Sequence, residues 1–228
     1  MKPICLIAAR KNSKGVPNKN IKLFLGKPLI AYAITDAKKS KIFQDVIVST
    51  DDKKIARIAK TYGANVPFIR PKRIAQDSTS MNSVILHSIK ELKKIGYEFN
   101  ILVNRDCTAP FIRIPDIKKG VSLLNKKKND AVVAVYKTHL NPYFNMMEFD
   151  SSKSLKFSKK TKKPVNNRQD APIVYQLSGF QIINITRFLK YKKIYMPQVL
   201  PIEIPYETGL MIDSEFEFKI ADCMFKKR

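Results

Sequence analysis

The sequence predicts an α/β fold in which helices cover both faces of a mostly parallel sheet. Short apolar runs alternate with amphipathic segments of helical length, which is typical of strands buried between two layers of helices. The 228 residues, 44% of them hydrophobic, are enough for one sizeable domain. Apolar runs predict strands at residues 4–9, 45–50, 66–69, 100–104, 130–135 and 179–184.

The helices are predicted from amphipathic spacing and from residues that favour helix ends. The segment 51–62 begins with two aspartates, which suit the positive end of the helix dipole, and Gly63 suits its end. Ser214 is a good N-cap for the last helix. The predicted helices span residues 29–40, 51–62, 82–95, 115–125 and 214–225.

The pattern changes between residues 136 and 175. This stretch is polar and lysine-rich with scattered aromatics, so a disordered loop, a surface insertion or an arm that reaches a partner subunit are all open. A structureless connection of this length is uncommon in a compact domain. We expect an ordered β-rich arm that completes its core on another protomer. The domain prediction is therefore an α/β domain of residues 1–135 and 176–228 with an inserted arm, 136–175.

Charge and composition narrow the class of protein. The net charge of +24 would suit polyanion binding, but the lysines are scattered and no DNA- or RNA-binding signature accompanies them. We expect no specific nucleic-acid partner, although a basic nucleic-acid-binding protein stays open as a different class. No apolar run is long enough to span a membrane, and the short one near the N-terminus suits a buried strand better than a leader. The three scattered cysteines fit no zinc or disulfide pattern, which favours the cytoplasm.

The strongest local signal is the loop that follows the first strand, within I-A-A-R-K-N-S-K-G-V-P-N-K-N at residues 7–20. Its cations are Arg10, Lys11, Lys14 and Lys19. Open α/β sheets bind ligands at the carboxyl ends of their strands, and Gly15 allows a close backbone approach. The spacing fits neither the P-loop nor the dinucleotide fingerprint. The sequence therefore predicts a different kind of phosphate-binding loop.

This loop resembles the first motif of the acylneuraminate cytidylyltransferase family. The matching positions are Ala8, Ala9, Arg10, Ser13, Lys14, Gly15, Lys19 and Asn20. Further motifs of the family follow in order at residues 48–52, 68–71, 77–80, 167–172 and 212–222. Two positions depart from the family pattern. Met211 replaces the first acid of a D-x-D motif, and Asp106 replaces a glutamine.

The resemblance implies a Rossmann-like fold and a cytoplasmic, Mg²⁺-dependent nucleotidyltransferase. The implied reaction transfers CMP from CTP to the anomeric hydroxyl of a sialic-acid-like 2-keto-3-deoxy sugar acid and releases pyrophosphate. A related transferase for pseudaminate, legionaminate, Kdo or a phosphonate is the alternative. The resemblance also implies a homodimer in which the arm 136–175 helps to build the neighbour's sugar site. Whether one or two metal ions are used stays open because of Met211.

The same resemblance assigns the candidate site residues. The catalytic candidates are Lys14, Arg10 and Asp213. The nucleotide-binding candidates are Ala8, Ala9, Arg10, Ser13, Lys14, Gly15, Asn20, Arg70, Ser80 and Asp106. The sugar-binding candidates are Lys19, Thr108, Arg168, Gln169 and Tyr175, since a guanidinium suits a carboxylate. The metal candidates are Asp213 and Asp106, since Mg²⁺ prefers carboxylate and phosphate oxygens.

Several of these residues also have a purely structural explanation. Arg70 and the pair Arg168 and Gln169 are also consistent with polar surface positions. Asp213 is consistent with an acid that interacts with a helix dipole. Asp106 is consistent with a carboxylate that pairs with Arg105 or with a loop amide.

Overall fold

The computed structural model describes residues 1–11, 15–126 and 129–225. The strands in these ranges are β1 (Ile4–Ala8), β2 (Leu23–Phe24), β3 (Lys27–Pro28), β4 (Asp45–Ser49), β5 (Ile101–Arg105), β6 (Ala131–Lys137), β7 (Met147–Phe149), β8 (Leu155–Phe157), β9 (Tyr175–Asn184) and β10 (Val199–Glu203). The α-helices are α1 (Leu29–Ser40), α2 (Lys53–Thr61), α3 (Met81–Lys94), α4 (Ile114–Lys126), α5 (Ile185–Tyr191) and α6 (Glu215–Phe225).

The central sheet has the strand order β10-β6-β9-β5-β1-β4. Strand β1 is parallel to β4 and β5, and β10 is parallel to β6. Strand β9 is antiparallel to both of its neighbours, β5 and β6. The carboxyl ends of the parallel strands therefore share one edge of the sheet. The predicted mostly parallel sheet is confirmed, with β9 as its antiparallel strand.

Strict alternation along the strands divides the core between the two faces of the sheet. In β1, Cys5 and Ile7 pack with residues of α1, α2 and α4, whereas Ile4 and Leu6 pack with residues of α3 and α5. All four side chains are fully buried, as a strand covered on both faces requires. The prediction of helices on both faces is confirmed.

A third, smaller apolar cluster holds α6 against the start of the chain. Phe218 and Ala221 of α6 pack with Phe24 of β2 and Leu29 of α1. The rings of Phe24 and Phe218 meet edge to face at 5.6 Å between centroids. This packing places the N-terminus of α6 beside the loop that follows β1.

The prediction of a strand at residues 66–69 is wrong. The chain there makes a single bridge, between Ile47 and Asn65, and then leaves the sheet. Pro67 and Pro71 supply no backbone N–H groups to a ladder, so an interior strand is disfavoured. The sequence analysis also missed β10, which contains Pro201 but lies at an edge of the sheet, where proline is tolerated.

The predicted arm begins and ends at the edge of the sheet that carries the parallel strands' carboxyl ends. Strand β6 runs into it to Lys137, and β9 leaves it at Tyr175. Between them, β7 and β8 form an antiparallel hairpin with the register Met147 opposite Phe157. The segment is thus ordered and partly β-structured, and its role in dimerisation stays a prediction. Within the described ranges, no helix is long and apolar enough to cross a membrane.

Candidate active site

A cavity of about 460 Å³ opens at the carboxyl ends of β1 and β5. The loop after β1 contributes Ala8, Arg10, Gly15, Lys19 and Asn20 to its lining. Residues distant in sequence complete it: Arg70, Asp106, Thr108 and Asp213. The structure therefore gathers most of the predicted nucleotide residues around one space. Ala9 is buried beside it, and its backbone N–H donates to the carbonyl of Ser49 at 3.0 Å.

The buried side chain of Asn20 stabilises the loop after β1. This buried side chain donates from Nδ2 to the backbone carbonyl of Arg10 at 2.9 Å. The thiol of Cys107 in turn donates to Asn20 Oδ1 at 3.2 Å, and burial raises the pKa of that thiol to about 12. Cys107 was not singled out from the sequence. It acts here as a neutral donor that orients Asn20.

Gly15 lies where the loop meets the start of α6. A Cβ atom at this position would lie 2.1 Å from the backbone oxygen of Asp213, which no real contact allows. The predicted close backbone approach is therefore present, and it is made to the chain itself. Ser13 and Lys14, two of the predicted phosphate contacts, lie outside the described residues.

Arg70 reaches the cavity from the segment that follows α2. Its backbone N–H donates to the carbonyl of Thr50 at 2.8 Å, and only 4% of the residue is exposed. Burial lowers the pKa of the guanidinium, an effect that the carboxylate of Asp51 partly opposes. Within the described residues, the buried Nε atom has no hydrogen-bond partner. A surface role is excluded, and the unpaired N–H is suited to an anion in the cavity.

The segment after Arg70 forms the opposite wall, and an ion pair ties it to the first loop. Arg10 pairs with Asp77, which belongs to the predicted motif at residues 77–80. Ser80 caps α3 by accepting from the N–H of Ser83 at 3.2 Å. That contact accounts for Ser80 structurally, and its predicted contact with the base stays a prediction.

Asp213 and Lys19 form an ion pair in the lining of the cavity. Lys19 Nζ donates to Asp213 Oδ1 at 2.5 Å, and Lys19 is the more buried partner. The predicted N-cap, Ser214, is confirmed: its Oγ accepts from the backbone N–H of Glu217 at 3.3 Å, and Glu217 Oε2 accepts from the backbone N–H groups of Asp213 and Ser214 at 2.7 and 2.8 Å. Because Ser214 and Glu217 cap the helix, the Asp213 carboxylate is not needed for capping.

Asp106 occupies the end of β5. Burial raises the pKa of its carboxyl to about 6, an effect opposed by Arg105 and by a hydrogen bond from Gln181 and reinforced by Asp213. Arg105 is itself fully buried and donates to the backbone carbonyls of Asp106 and Ala109 at 2.5 and 2.7 Å. Arg105 therefore pins the turn that carries Asp106, while the side-chain amide that meets the carboxylate is Gln181.

Comparison with known proteins decides the family. A family model described as cytidylyltransferase matches residues 4–217. The chain belongs to the cytidylyltransferase family. It is 33% identical, over 99% of its length and 95% of the relative's, to the post-translational flagellin modification protein B of Campylobacter coli. It is also 33% identical to the CMP-N,N'-diacetyllegionaminic acid synthase of Campylobacter jejuni, over 97% of this chain and 94% of the synthase.

Other relatives and a solved structure agree with this assignment. The pseudaminic acid cytidylyltransferase of Campylobacter jejuni is 29% identical over 99% of this chain and 97% of its own. A CMP:2-keto-3-deoxy-manno-octonic acid synthetase, solved in complex with CTP, superimposes with a TM-score of 0.75 at 17% identity and covers all of both chains. The predicted family, the Rossmann-like α/β fold and the nucleotidyltransferase class are confirmed.

The lining of the first cavity of this cytidylyltransferase includes two carboxylates that suit a divalent cation. Asp106 and Asp213 both line this cavity, and their charges repel each other, which a cation would offset. The described residues hold no cluster of three or more histidine, cysteine or acidic side chains. Mg²⁺ is commonly held by one or two carboxylates together with substrate phosphates, so two carboxylates suffice. Met211 lines the cavity at the position where the sequence resemblance led us to expect an acid, and its thioether is a poor ligand for Mg²⁺.

The cytidylyltransferase has a second cavity of about 290 Å³ that adjoins the first. The two share Met81 and Asp106 in their linings. The rest of the second lining comprises Asn82, Asn104, Gln181, Ile194 and Tyr195. Asn82 Oδ1 accepts from the backbone N–H of Ile194 at 2.9 Å and so holds the segment after α5 over the N-terminus of α3. None of these residues was predicted, because none belongs to a motif that the sequence analysis used.

The predicted sugar-binding residues are divided by the structure. Lys19 and Thr108 line the first cavity. Arg168 and Gln169 lie exposed on a short 3-10 helix, Arg168–Asp170, and neither lines the two cavities of this chain. Tyr175 is half-exposed at the start of β9, with its hydroxyl 3.4 Å from Glu203 Oε2. The sugar-binding roles of Arg168, Gln169 and Tyr175 stay predictions.

Proposed function

We propose that this cytidylyltransferase transfers CMP from CTP to the anomeric hydroxyl of a sialic-acid-like 2-keto-3-deoxy sugar acid and releases pyrophosphate. One observation carries the proposal. Asp106 lines two adjoining cavities. The first contains the cations Arg10, Lys19 and Arg70 together with acidic side chains, and the second is otherwise lined by neutral polar and apolar side chains. Such a pair of spaces suits a polyanionic donor beside an acceptor that attacks it. The names of the relatives, which act on legionaminic and pseudaminic acids, support the same substrate class.

The first cavity would hold the nucleotide. Arg70 supplies a buried guanidinium with an unpaired N–H, and Lys19 and Arg10 add positive charge from the loop after β1. Lys14 is expected to join them from its position in the loop. Charge so placed offsets the repulsion between an incoming hydroxyl and the phosphates, and it stabilises the charge that leaves on pyrophosphate.

Asp213 and Asp106 are the residues that would hold Mg²⁺. Such an ion would supply positive charge that offsets the phosphate charge during attack on the α-phosphorus. Lys19 keeps Asp213 oriented towards the cavity through their 2.5 Å ion pair. Asp213 is also the proposed base for the acceptor hydroxyl, since it borders the cavity that would hold the α-phosphate.

The acceptor would occupy the second cavity, and we propose that a homodimer completes its site. The hairpin β7–β8 exposes apolar side chains on the same arm as Arg168 and Gln169, including Met147, Phe149, Leu155 and Phe157. Exposed apolar groups of this kind mark surfaces that pack against a partner. A second protomer seated on the hairpin is the proposed source of a guanidinium for the acceptor's carboxylate.

The proposed place of action is the cytoplasm. CTP is available there, and the reducing conditions suit the free cysteines, two of which, Cys5 and Cys107, are buried.

The test is pyrophosphate release from CTP and Mg²⁺ with a panel of acceptors. The panel comprises N-acetylneuraminate, N,N'-diacetyllegionaminate, pseudaminate and 2-keto-3-deoxy-manno-octonate. We expect turnover with at least one of the first three, and a product whose mass equals that of the CMP-sugar. Absence of turnover with every acceptor, combined with salt-sensitive binding of DNA or RNA, would instead support a nucleic-acid-binding protein.

A further inference from the structure

Three polar side chains form a hydrogen-bonded row along one wall of the second cavity. Asn104 of β5 and Gln181 of β9 are direct partners in the sheet register. Asn104 Nδ2 donates to Gln181 Oε1 at 2.6 Å, and Gln181 in turn hydrogen-bonds the carboxylate of Asp106. All three residues line the second cavity.

The carboxylate sets the direction of the whole row. An ionised carboxylate only accepts hydrogen bonds, so Gln181 must offer its amide N–H to Asp106. The carbonyl of Gln181 is then left to accept from the amide N–H of Asn104. The row therefore ends in an acceptor, the Oδ1 atom of Asn104.

That terminal oxygen has no hydrogen-bond partner among the described residues. It is buried, and only 1% of Asn104 is exposed. A buried acceptor without a donor is costly, and native structures rarely keep one without a reason. Asn104 lines the second cavity, so a donor brought by a ligand there would satisfy this oxygen after a local shift that opens it to the cavity. Beside it, the cavity is lined by the apolar groups of Met81 and Ile194 and the ring of Tyr195.

We propose that Asn104 is a specificity-determining residue that selects acceptors carrying an acylamido group. Its Oδ1 atom accepts from the N–H of that group, and the acyl methyl packs against Met81, Ile194 and Tyr195. A site that buries a polar group for one hydrogen bond rejects analogues lacking that bond far more strongly than a purely apolar site does. The inference rests on the proposed function, because it places the acceptor in the second cavity.

The experiment compares an acetamido acceptor with its acetoxy analogue, in which an ester oxygen replaces the N–H and the shape is retained. The acceptor is the best substrate of the pyrophosphate-release panel that carries an acetamido group, and each of its acetamido groups is exchanged in turn. We expect wild-type protein to prefer the amide over one ester by at least tenfold in kcat/KM. We expect Asn104→Leu to reduce this preference to less than threefold.

The matched control is Asn129→Leu. Asn129 also has a buried amide nitrogen without a partner in the described chain, but it lines a cavity with Asn100 and Arg187 instead. This variant should keep the wild-type preference. Asn104→Ser, which is too short to span to the ligand, replaces Asn104→Leu if the latter does not fold, as judged by its thermal unfolding midpoint.

The outcomes separate the two proposals. If wild-type protein transfers CMP to no acceptor, the proposed function fails. If it transfers CMP but uses every ester as well as the amide, the role of Asn104 is wrong and the function stands. The same holds if the preference survives in both Asn104 variants.

Discussion

The two sides of the active site are built in different ways. The proposed nucleotide side is built around one loop, the segment after β1, to which distant residues such as Arg70 and Asp213 are added. That loop is held by the hydrogen bond from the Asn20 side chain to the backbone carbonyl of Arg10. The acceptor side draws single residues from β5, β9, α3 and the segment after α5, and its other candidates lie on an exposed arm. The described lining of the first cavity comes from one chain. The acceptor side is proposed to need a partner.

The largest effect should come from removing the charge on the nucleotide side. Replacing Arg70 by methionine deletes a buried cation, and loss of a charge-assisted hydrogen bond in a buried site commonly costs about 2–5 kcal/mol. We expect kcat/KM for CTP to fall by roughly 10²–10³-fold. The control is Arg73→Met, an exposed arginine three residues away, which should stay within about twofold. Equal losses in both variants would show that the cavity does not bind the triphosphate.

A smaller loss is expected for Asp213, because Asp106 remains to hold the cation. Asp213→Asn keeps the size of the side chain but removes the charge that meets Lys19. We expect kcat to fall about 10²-fold and the Mg²⁺ concentration for half-maximal activity to rise. Glu215→Gln is the matched control, since Glu215 pairs with Lys22 at 2.6 Å just beyond the site. An unchanged Mg²⁺ requirement in Asp213→Asn would remove this residue from the metal site.

The arm offers a change that should affect only the acceptor side. Phe149→Asp places a charge on the most exposed apolar residue of the hairpin. We expect the dimer to dissociate in sedimentation experiments and kcat/KM for the sugar acid to fall about tenfold, while the affinity for CTP stays the same. Phe216→Asp, on the similarly exposed surface of α6, should leave the dimer intact. A wild-type protein that sediments as a monomer would refute the proposed role of the arm.

The smallest effect concerns Asp106 at the border between the two sides. Its pKa in the folded protein, about 6, lies above the ordinary value of 3.8, so the folded state binds more protons than the unfolded state between these limits. The free energy of unfolding, measured without metal, should therefore decrease by on the order of 1–2 kcal/mol as the pH rises from about 4 to about 6. Denaturant titrations of wild type and Asp106→Asn measure this slope. An identical slope in both proteins would show that a group other than Asp106 binds the proton.

Much of the fold could be predicted because buried parallel strands appear in the sequence as continuous apolar runs. β1, β4, β5 and β6 were found for this reason, and α2 because Asp52 caps its first turn. The failures have a common cause in proline. Pro67 lay in an apolar run that does not pair, and Pro201 interrupted one that does.

The site was predictable where its chemistry is carried by one loop or by a strand end. Arg70, Asp106 and Asp213 were singled out because each belongs to a recognisable motif, and the structure brings all three to one cavity. Their roles in binding and catalysis stay predictions. Asn104 and Gln181 lie inside strands, where they looked like part of the core. Their one available signal was that they are polar at positions expected to be buried. Tyr195 gave no signal, because only the fold of the segment after α5 brings it near Asp106.

A crystal structure with CTP and Mg²⁺ would test the nucleotide site most directly. The phosphates should lie in the first cavity, with an oxygen accepting from Arg70 Nε and the loop after β1 closed around them. The ion should contact Asp213. A nucleotide bound elsewhere, or a first cavity left empty at saturating CTP, would contradict the assignment of this cavity to the triphosphate.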